Sequence, residues 1–165
     1  MLFLIFELGS DRYAIDTSDV VEVLARASLK VMPSAPEWVA GLASYRGQTV
    51  PVIDLCRIAL GRPATDRIST RTVIVRYRGT PLAQSDASAD SDAGPTHLLG
   101  LIVEHANRTL RRDPAEFKPS GVDTPNAQWL GRVAHDDDGM LQWVRVEHLL
   151  PDTVRARLFT EAQAS

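Results

Sequence analysis

The chain has 165 residues, of which 44% are hydrophobic, and its 21 acidic residues against 18 basic ones give a formal net charge of -3. This length suits one ordinary domain, because about 70% of the unfolded chain's surface is buried on folding. A single cysteine excludes an intramolecular disulfide and a cysteine-rich metal site, and the acidic balance argues against binding the nucleic-acid backbone. The longest pure apolar run, residues 2–6, is far short of the roughly 20 residues that span a bilayer.

Short apolar segments separated by Gly, Pro, Asn and Asp predict a mainly β protein. The first five predicted strands cover residues 2–8, 13–16, 22–31, 42–46 and 49–54. The second five cover residues 71–78, 97–104, 107–112, 129–135 and 140–146. Two sets of five predict two small barrels in one domain. We expect that domain at residues 1–155, with a first subdomain at about 2–65 and a second at about 70–150.

Glycines predict two hairpin turns. Gly47, which follows Arg46, allows the positive φ that a type II′ turn needs at its first central position. Asp138 and Gly139 form an Asp-Gly pair, which is typical of a type I′ turn. We expect the two hairpins to close their barrels in the same way.

Short helices are predicted at the joints between strands. Asp54 is placed to cap a helix over residues 55–60, which Gly61 ends. Asp152 is placed to cap a final helix that carries three apolar residues on one face, Val154, Leu158 and Phe159. Residues 156–165 form the end of that helix and a tail.

Residues 80–96 predict a flexible acidic loop between the subdomains. The segment contains no Lys, no Arg and no aromatic residue, so it has little apolar surface to bury. Its three aspartates equal the whole net charge of -3, which leaves the folded body close to neutral.

Catalytic, cofactor-binding and metal-binding residues are not predicted. The four histidines lack metal-ligand spacing, and no glycine-rich phosphate loop occurs. Cys56 lies near a predicted helix N-terminus, which lowers the pKa of a thiol, but Leu55, Ile58 and Leu60 give it an apolar setting and no histidine is near in sequence. We interpret Cys56 as structural. The alternatives are a small-ligand-binding β-barrel or a thiol-dependent hydrolase that uses Cys56; a nucleic-acid-binding barrel lacks the basic surface it needs.

The most informative segment is residues 35–60. Arg46 stands at the hairpin turn between Tyr45 and Gly47, where a guanidinium projects from a rigid support. An arginine in that position suits a fork-like bond with the carboxylate of a partner. The alternative is a solvent-facing hairpin residue, and the spacing alone does not separate the two.

At these residues the chain resembles the CheW family, the adaptor domains of bacterial chemosensory arrays. The resemblance is carried by Trp-Val-Ala-Gly at 38–41, Tyr-Arg-Gly at 45–47 and Val-Pro-Val-Ile-Asp-Leu at 50–55. Further similar segments follow in the family's order, at 13–16, 20–23, 72–75, 99–104 and 141–150, so that the resemblance covers about residues 2–151. Within the family, residues 113–117 and 141–146 are most similar to the adaptors of Wsp-type surface-sensing systems.

The resemblance implies two five-stranded, SH3-like barrels packed around a shared core. It also implies a non-enzymatic, cytoplasmic scaffold that is recruited to membrane-associated receptor arrays without inserting into the membrane. The expected partners are the cytoplasmic tip of a methyl-accepting chemotaxis receptor and the regulatory domain of a CheA-type histidine kinase, with other CheW-like adaptors as further candidates. Similarity to the Wsp-type adaptors points to a pathway that controls cyclic-di-GMP.

The resemblance also implies roles for individual residues. Arg46 matches the turn arginine at the receptor contact, with Gly41 and Gly47 beside it, and Val20 and Glu22 match the partner-facing edge of the first subdomain. Three residues match the strand that lines the groove between subdomains, where a receptor helix tip lies: Leu99, Gly100 and Leu101. One departure is Cys56, which stands where family members often have arginine.

Overall fold

The computed structural model describes residues 1–25, 27–78, 96–125 and 127–159. Its strands are β1 (Leu2–Leu8), β2 (Asp11–Asp16), β3 (Val20–Leu24), β4 (Val39–Tyr45), β5 (Gln48–Asp54), β6 (Arg71–Tyr77), β7 (His97–Arg111), β8 (Leu130–Asp136) and β9 (Gly139–Val144). Its α-helices are α1 (Leu55–Leu60) and α2 (Asp152–Leu158), and short 3-10 helices cover Thr17–Asp19, Pro114–Glu116 and Val146–His148. Neither described α-helix combines the length and the apolar character needed to span a membrane.

The strands form two five-stranded barrels that share one long strand, β7. The first barrel contains β1, β2, β8, β9 and the C-terminal part of β7. The second barrel contains β3, β4, β5, β6 and the N-terminal part of β7. The prediction of two sets of five is therefore confirmed, although nine described strands supply them because β7 is used twice.

Strand β7 replaces two predicted strands, 97–104 and 107–112. It pairs with β6 from His97 to Val103 and with β1 from Glu104 to Arg111. Between the two stretches, His105 takes a positive φ of 51° and the register with β1 shifts. Such a bulge bends a strand without ending it, so the chain continues from one barrel into the other.

The barrels do not follow the division at residues 65–70 that the sequence predicts. Strand β2, near the N-terminus, pairs in parallel with β9, near the C-terminus, and joins Arg12 to Leu141. The first barrel therefore combines both ends of the chain, and the middle of the chain forms the second. The predicted strand 22–31 is also shorter, since β3 ends at Leu24 and Lys30 makes only an isolated bridge to Leu42.

Both faces of the central strands are buried. Along β1, Leu4, Phe6 and Leu8 join a large cluster that contains residues of both barrels, while Phe3 and Ile5 join a smaller cluster inside the first barrel. The second barrel has its own interior cluster of Tyr45, Val50 and Ile74. This double burial explains the uninterrupted apolar runs, since a strand covered on both faces loses the polar alternation of a half-exposed one.

The two hairpin turns differ from each other and from the predictions. The β4–β5 turn has Arg46 and Gly47 as central residues, with φ of 49° and 79°, because Tyr45 pairs with Gln48. Positive φ at both positions is type I′, not the predicted type II′. In the β8–β9 turn Asp136 pairs with Gly139, so the central pair is Asp-Asp rather than Asp-Gly. Neither central aspartate has a positive φ, which excludes the predicted type I′ turn.

The helix predictions are largely confirmed. Asp54 caps α1 by accepting the Cys56 N–H at 2.9 Å, and Gly61 ends the helix with a left-handed φ of 73°. Helix α2 packs its predicted apolar face on the large shared cluster, but its cap residue is Pro151, without a side-chain bond, rather than Asp152. The predicted acidic loop, apart from Thr96, and the tail beyond Phe159 lie outside the described residues.

Candidate functional site

The tip of the β4–β5 hairpin presents Arg46 in a conformation that few arginines adopt. A left-handed residue with a Cβ atom costs about 1–2 kcal/mol, and asparagine, aspartate or glycine usually fills the first central position of a type I′ turn. Arg46 occupies it with φ 49°, and 72% of its side chain is exposed. Unfavourable backbone conformations persist where the surrounding structure maintains them, and they are frequent at functional sites.

The contacts of Arg46 with its own barrel are weak. Its guanidinium lies 5.2 Å from the ring centre of Tyr45, and Nη2 is 3.6 Å from Oε1 of Glu22, a carboxylate that is itself 38% exposed. Exposed ion pairs at such distances contribute about 0–1 kcal/mol. Most of the donor capacity of the guanidinium is therefore available to a partner.

Tyr45 anchors this hairpin to the barrel. Its ring is 7% exposed and packs with Val50 and Ile74. The nearby Glu22 carboxylate is the main reason that the pKa of Tyr45 is raised, and burial adds to the effect. The phenol oxygen is nevertheless buried without a partner at hydrogen-bond geometry among the described residues. The site therefore has an apolar base, a negative neighbour and a positive tip.

The two glycines that flank the tip have different structural roles. At Gly41, φ is 146° and an added Cβ would lie 2.5 Å from the carbonyl oxygen of Lys30, so the close approach of that segment to β4 requires glycine. At Gly47, φ is 79° and an added Cβ would meet nothing within 4 Å. Gly41 is a packing residue inside the barrel, whereas Gly47 is a turn residue at the surface.

Strand β3 contributes the predicted edge residues. The structure brings Glu22 beside Arg46, as the ion pair shows. Val20 lies two residues away and packs partly against the large shared cluster. Both residues are half-buried, and a bulge between them shifts the register with β6. The structure thus brings together Arg46, Gly47 and Glu22, with Val20 further along the same strand.

The remaining predicted site residues lie inside the molecule. Leu99 and Leu101 are both 0% exposed and belong to the large shared cluster. A Cβ on Gly100 would lie 2.8 Å from Cγ2 of Val52, so the neighbouring strand leaves no room for a side chain. The reason is that β7 runs between β6 and β5. The structure does not present these residues as a groove surface.

A partly buried ionic cluster in the first barrel was missed by sequence analysis. Asp136 accepts hydrogen bonds from both terminal nitrogens of Arg12, at 2.7 and 3.0 Å, and from Arg112 at 2.9 Å. The bond from Arg12 is the main reason that the pKa of Asp136 is lowered to about 2. Arg12 and Asp136 are 124 positions apart, so no local pattern connects them. The β8–β9 turn therefore begins at a fixed ionic contact.

A second buried carboxylate lies where β7 passes between the barrels. Glu104 is 5% exposed and accepts hydrogen bonds from Gly9 N at 3.1 Å and Thr65 N at 2.7 Å. Arg62 lies 3.3 Å from each of its two oxygens. Burial alone raises the pKa of Glu104, but the bonds from Arg62, Thr65 and Gly9 outweigh burial and lower it to about 2. Glu104 therefore joins the β1–β2 turn to the loop after α1.

Cys56 lacks the properties of a nucleophile. Its side chain is 0% exposed, and burial, with the charges of Glu104 and Asp54, raises the pKa of the thiol to about 12. Reactive cysteines have the opposite combination, with access to solvent and a lowered pKa. Within the described ranges, no group of three or more His, Cys, Asp or Glu side chains is placed to hold a metal ion.

The fold and this hairpin define the class of protein, a double SH3-like barrel with an exposed arginine at one turn. A solved structure with this architecture is the scaffolding protein TtCheW from Thermoanaerobacter tengcongensis, with a TM-score of 0.72, 25% identity and coverage of 93% of this chain and 89% of that one. The family model of the CheW-like domain matches residues 2–154. The chain therefore belongs to the CheW family.

Curated relatives agree with the family assignment. The chemotaxis protein CheW of Klebsiella aerogenes is 33% identical over 150 residues, which cover 90% of this chain and 80% of the relative. Protein FrzA of Myxococcus xanthus is 27% identical over 124 residues, which cover 64% of this chain and 76% of the relative.

Proposed function

We propose that the chain is a non-enzymatic adaptor that couples a methyl-accepting chemoreceptor to a CheA-type histidine kinase. The observation that carries the proposal is Arg46, an exposed arginine held with a left-handed backbone at the tip of a rigid hairpin. Membership of the CheW family supplies the partner classes. The similar Thermoanaerobacter protein is a scaffolding protein, which supports the same function.

The chemistry of the tip suits recognition of an acidic protein segment. An exposed guanidinium offers a planar fork of donors to a carboxylate, and its existing pair with Glu22 is long enough to be exchanged. Charges at the rim of an interface determine partner choice and association rate, while apolar contacts add affinity.

The finer assignment is to a Wsp-type adaptor in a pathway that controls cyclic-di-GMP. It is supported by the similarity of residues 113–117 and 141–146 to those adaptors. The structure gives the first segment a defined form, a 3-10 turn over Pro114–Glu116 that Asp113 caps. The second segment forms most of β9, which joins the two ends of the chain.

The test is charge reversal at the tip, Arg46→Glu, beside the matched reversal Arg111→Glu at the exposed end of β7. Both proteins are purified and combined with receptor-containing membranes and a CheA-type kinase of the same organism. Receptor binding and receptor-dependent autophosphorylation should fall by about tenfold or more for Arg46→Glu, since an attractive contact becomes repulsive. Arg111→Glu should behave like the wild type.

Thermal unfolding separates this result from a folding defect. Arg46 is exposed, so both variants should unfold within about 2 °C of the wild type, as expected for surface substitutions. A folded Arg46→Glu protein that still couples receptor to kinase would contradict the proposal. Loss of receptor binding in both variants would show that the receptor contact is not specific to the hairpin tip.

A further inference from the structure

Helix α2 has few means of maintaining its own structure. It contains seven residues, and its cap residue Pro151 provides no side-chain hydrogen bond. Isolated helices shorter than about 12–15 residues are only marginally stable in water, so α2 depends on the surface against which it packs. Its formation and its docking are therefore one event.

The docking surface is a narrow aromatic slot. Phe159, which directly follows α2, stacks on Tyr77 at the end of β6 with ring centres 5.5 Å apart, and on His97 at the start of β7 at 4.3 Å. On the other side of the helix, Arg157 donates to the carbonyl oxygen of Ser34 at 3.0 Å. Three separate parts of the second barrel region thus hold one short helix.

The contact also includes an unfavourable element. Tyr77 is 1% exposed, and burial raises the pKa of its hydroxyl; no partner meets full hydrogen-bond geometry among the described residues, although Arg155 of α2 lies close enough to oppose that rise. A buried hydroxyl that lacks a partner is destabilising, and it regains hydrogen bonds once water reaches it. Displacement of α2 would give water access to this hydroxyl in exchange for its contact with Arg155, which partly offsets the free energy needed for opening.

Helix α2 lies outside the strand pairing that builds the barrels. In α2, Val154 belongs to the large shared cluster. Leu158, and Phe159 directly after the helix, are only partly buried where they pack against it. Strand pairing in both barrels involves no residue of α2. Local opening at the end of a chain, with the remainder folded, is typical of segments with so few buried contacts.

We propose that α2 is a displaceable latch, which opens while both barrels stay folded and thereby exposes the slot formed by Tyr77 and His97. The occupant of the slot in the closed state is α2 itself, with its two aliphatic side chains and one aromatic side chain on one face. A helix with those side chains at the same spacing competes with α2 for the open slot.

Hydrogen exchange on the full chain tests the opening. Amides of residues 152–159 should exchange about a hundredfold faster than the paired amides of β6 and β7. Phe159→Ala should accelerate exchange of α2 by about tenfold more and leave β6 unchanged, because it removes the ring stack. The latch is disproved if α2 and the strands exchange at one common rate.

Peptide competition tests the slot. The probe is a fluorescent peptide with the sequence of residues 150–159, added to the full-length wild type and to Phe159→Ala. The variant should bind the peptide about tenfold more tightly, because its own α2 is a weaker competitor. A peptide that carries the same Phe→Ala change should not bind.

Two further variants keep the competition test decisive. Ala156→Ser lies on the exposed face of α2 and should match the wild type in exchange and in peptide binding. Leu158→Ala should act like Phe159→Ala and replaces it if that protein fails to fold. Equal peptide affinity in the wild type and in a folded weakened variant, or no binding to either, would overturn the proposal. This result would leave the adaptor function untouched, since the probe involves neither receptor nor kinase.

Discussion

The β4–β5 and β8–β9 hairpins occupy corresponding places in the two barrels but use their charges in opposite ways. Each hairpin joins its barrel through a parallel pair, β5 with β7 and β9 with β2. Each is bridged on its outer side by a lysine segment, at Lys30 or Lys118, and each is followed by a short helix. The similarity of position makes the difference in chemistry informative.

In the first barrel the charged residue of the hairpin, Asp136, pairs with arginines of the same molecule. Asp136 is 11% exposed and holds Arg12 and Arg112 at hydrogen-bond distance. In the second barrel Arg46 is 72% exposed and makes only a long contact with Glu22. One hairpin is thus fixed by a partly buried ionic cluster, while the other keeps a cation available at its tip. The comparison separates a hairpin whose charge is paired within the molecule from one whose cation remains exposed.

Removal of the Asp136 carboxylate should produce the largest loss of stability. Asp136→Ala leaves Arg12 and Arg112 without their shared partner, and breaking a buried ion pair from one side costs about 3–5 kcal/mol. Because the cluster is only partly buried, we expect about 3 kcal/mol, or a decrease of about 6–12 °C in Tm for a chain of this size. Thermal or urea unfolding measures it.

The matched substitution for the β4–β5 hairpin is Glu22→Ala, on strand β3, which removes the carboxylate beside Arg46. The pair with Arg46 is exposed, so we expect a change within about 0.5 kcal/mol. Similar losses in the two variants would show that both hairpins depend equally on their charges, which contradicts the distinction drawn above.

Acid should reduce the stability that Asp136 and Glu104 contribute through their ionic contacts. Asp136 and Glu104 have folded pKa values of about 2, against about 3.9 and 4.3 in unfolded chains. The unfolded chain therefore takes up protons first, and the stability they contribute is complete above about pH 4.3 and lost as the pH falls towards about 2.

Urea midpoints measured from pH 5 to pH 2 test this expectation. Asp136→Asn removes one of the two titrating groups, so the midpoint of that variant should fall less steeply over the same pH range. An unchanged slope in Asp136→Asn would mean that the Asp136 carboxylate does not titrate at a lowered pKa.

Local features of the fold could be predicted from the sequence because neighbouring residues determine them. The apolar runs identify most strands, and the Asp54 cap with Gly61 identifies α1 at both ends. The exposed arginine is also predictable, since a two-residue hairpin leaves its central residues at the surface.

Features that depend on long-range pairing could not be predicted. The turn type follows from which residues pair across the hairpin, and the sequence does not give that register. Residues 105 and 106 resemble a break between strands, but pairing of β7 with both β6 and β1 makes the break a bulge. The burial of Leu99 and Leu101 depends on strands that flank β7, and the Arg12–Asp136 contact joins opposite ends of the chain.

Arg46→Asn has the smallest expected effect on stability and tests stability and binding separately at the exposed tip of the β4–β5 hairpin. Asparagine adopts the left-handed conformation more readily than arginine and is favoured in type I′ turns. Arg46→Asn should therefore stabilise the protein by about 0.5–1 kcal/mol, since the backbone stays as it is and its unfavourable conformation is relieved. Receptor coupling should nevertheless fall by about tenfold, because the guanidinium is removed.

Arg46→Lys is the control for charge alone. Lysine keeps the positive charge but lacks the planar fork, so the variant should keep wild-type stability and only part of the coupling. A more stable, fully coupled Arg46→Asn would show that the left-handed arginine is unrelated to binding. A variant that is stabilised and uncoupled would show that the conformation at residue 46 is maintained at the expense of stability, as the role of a binding hairpin requires.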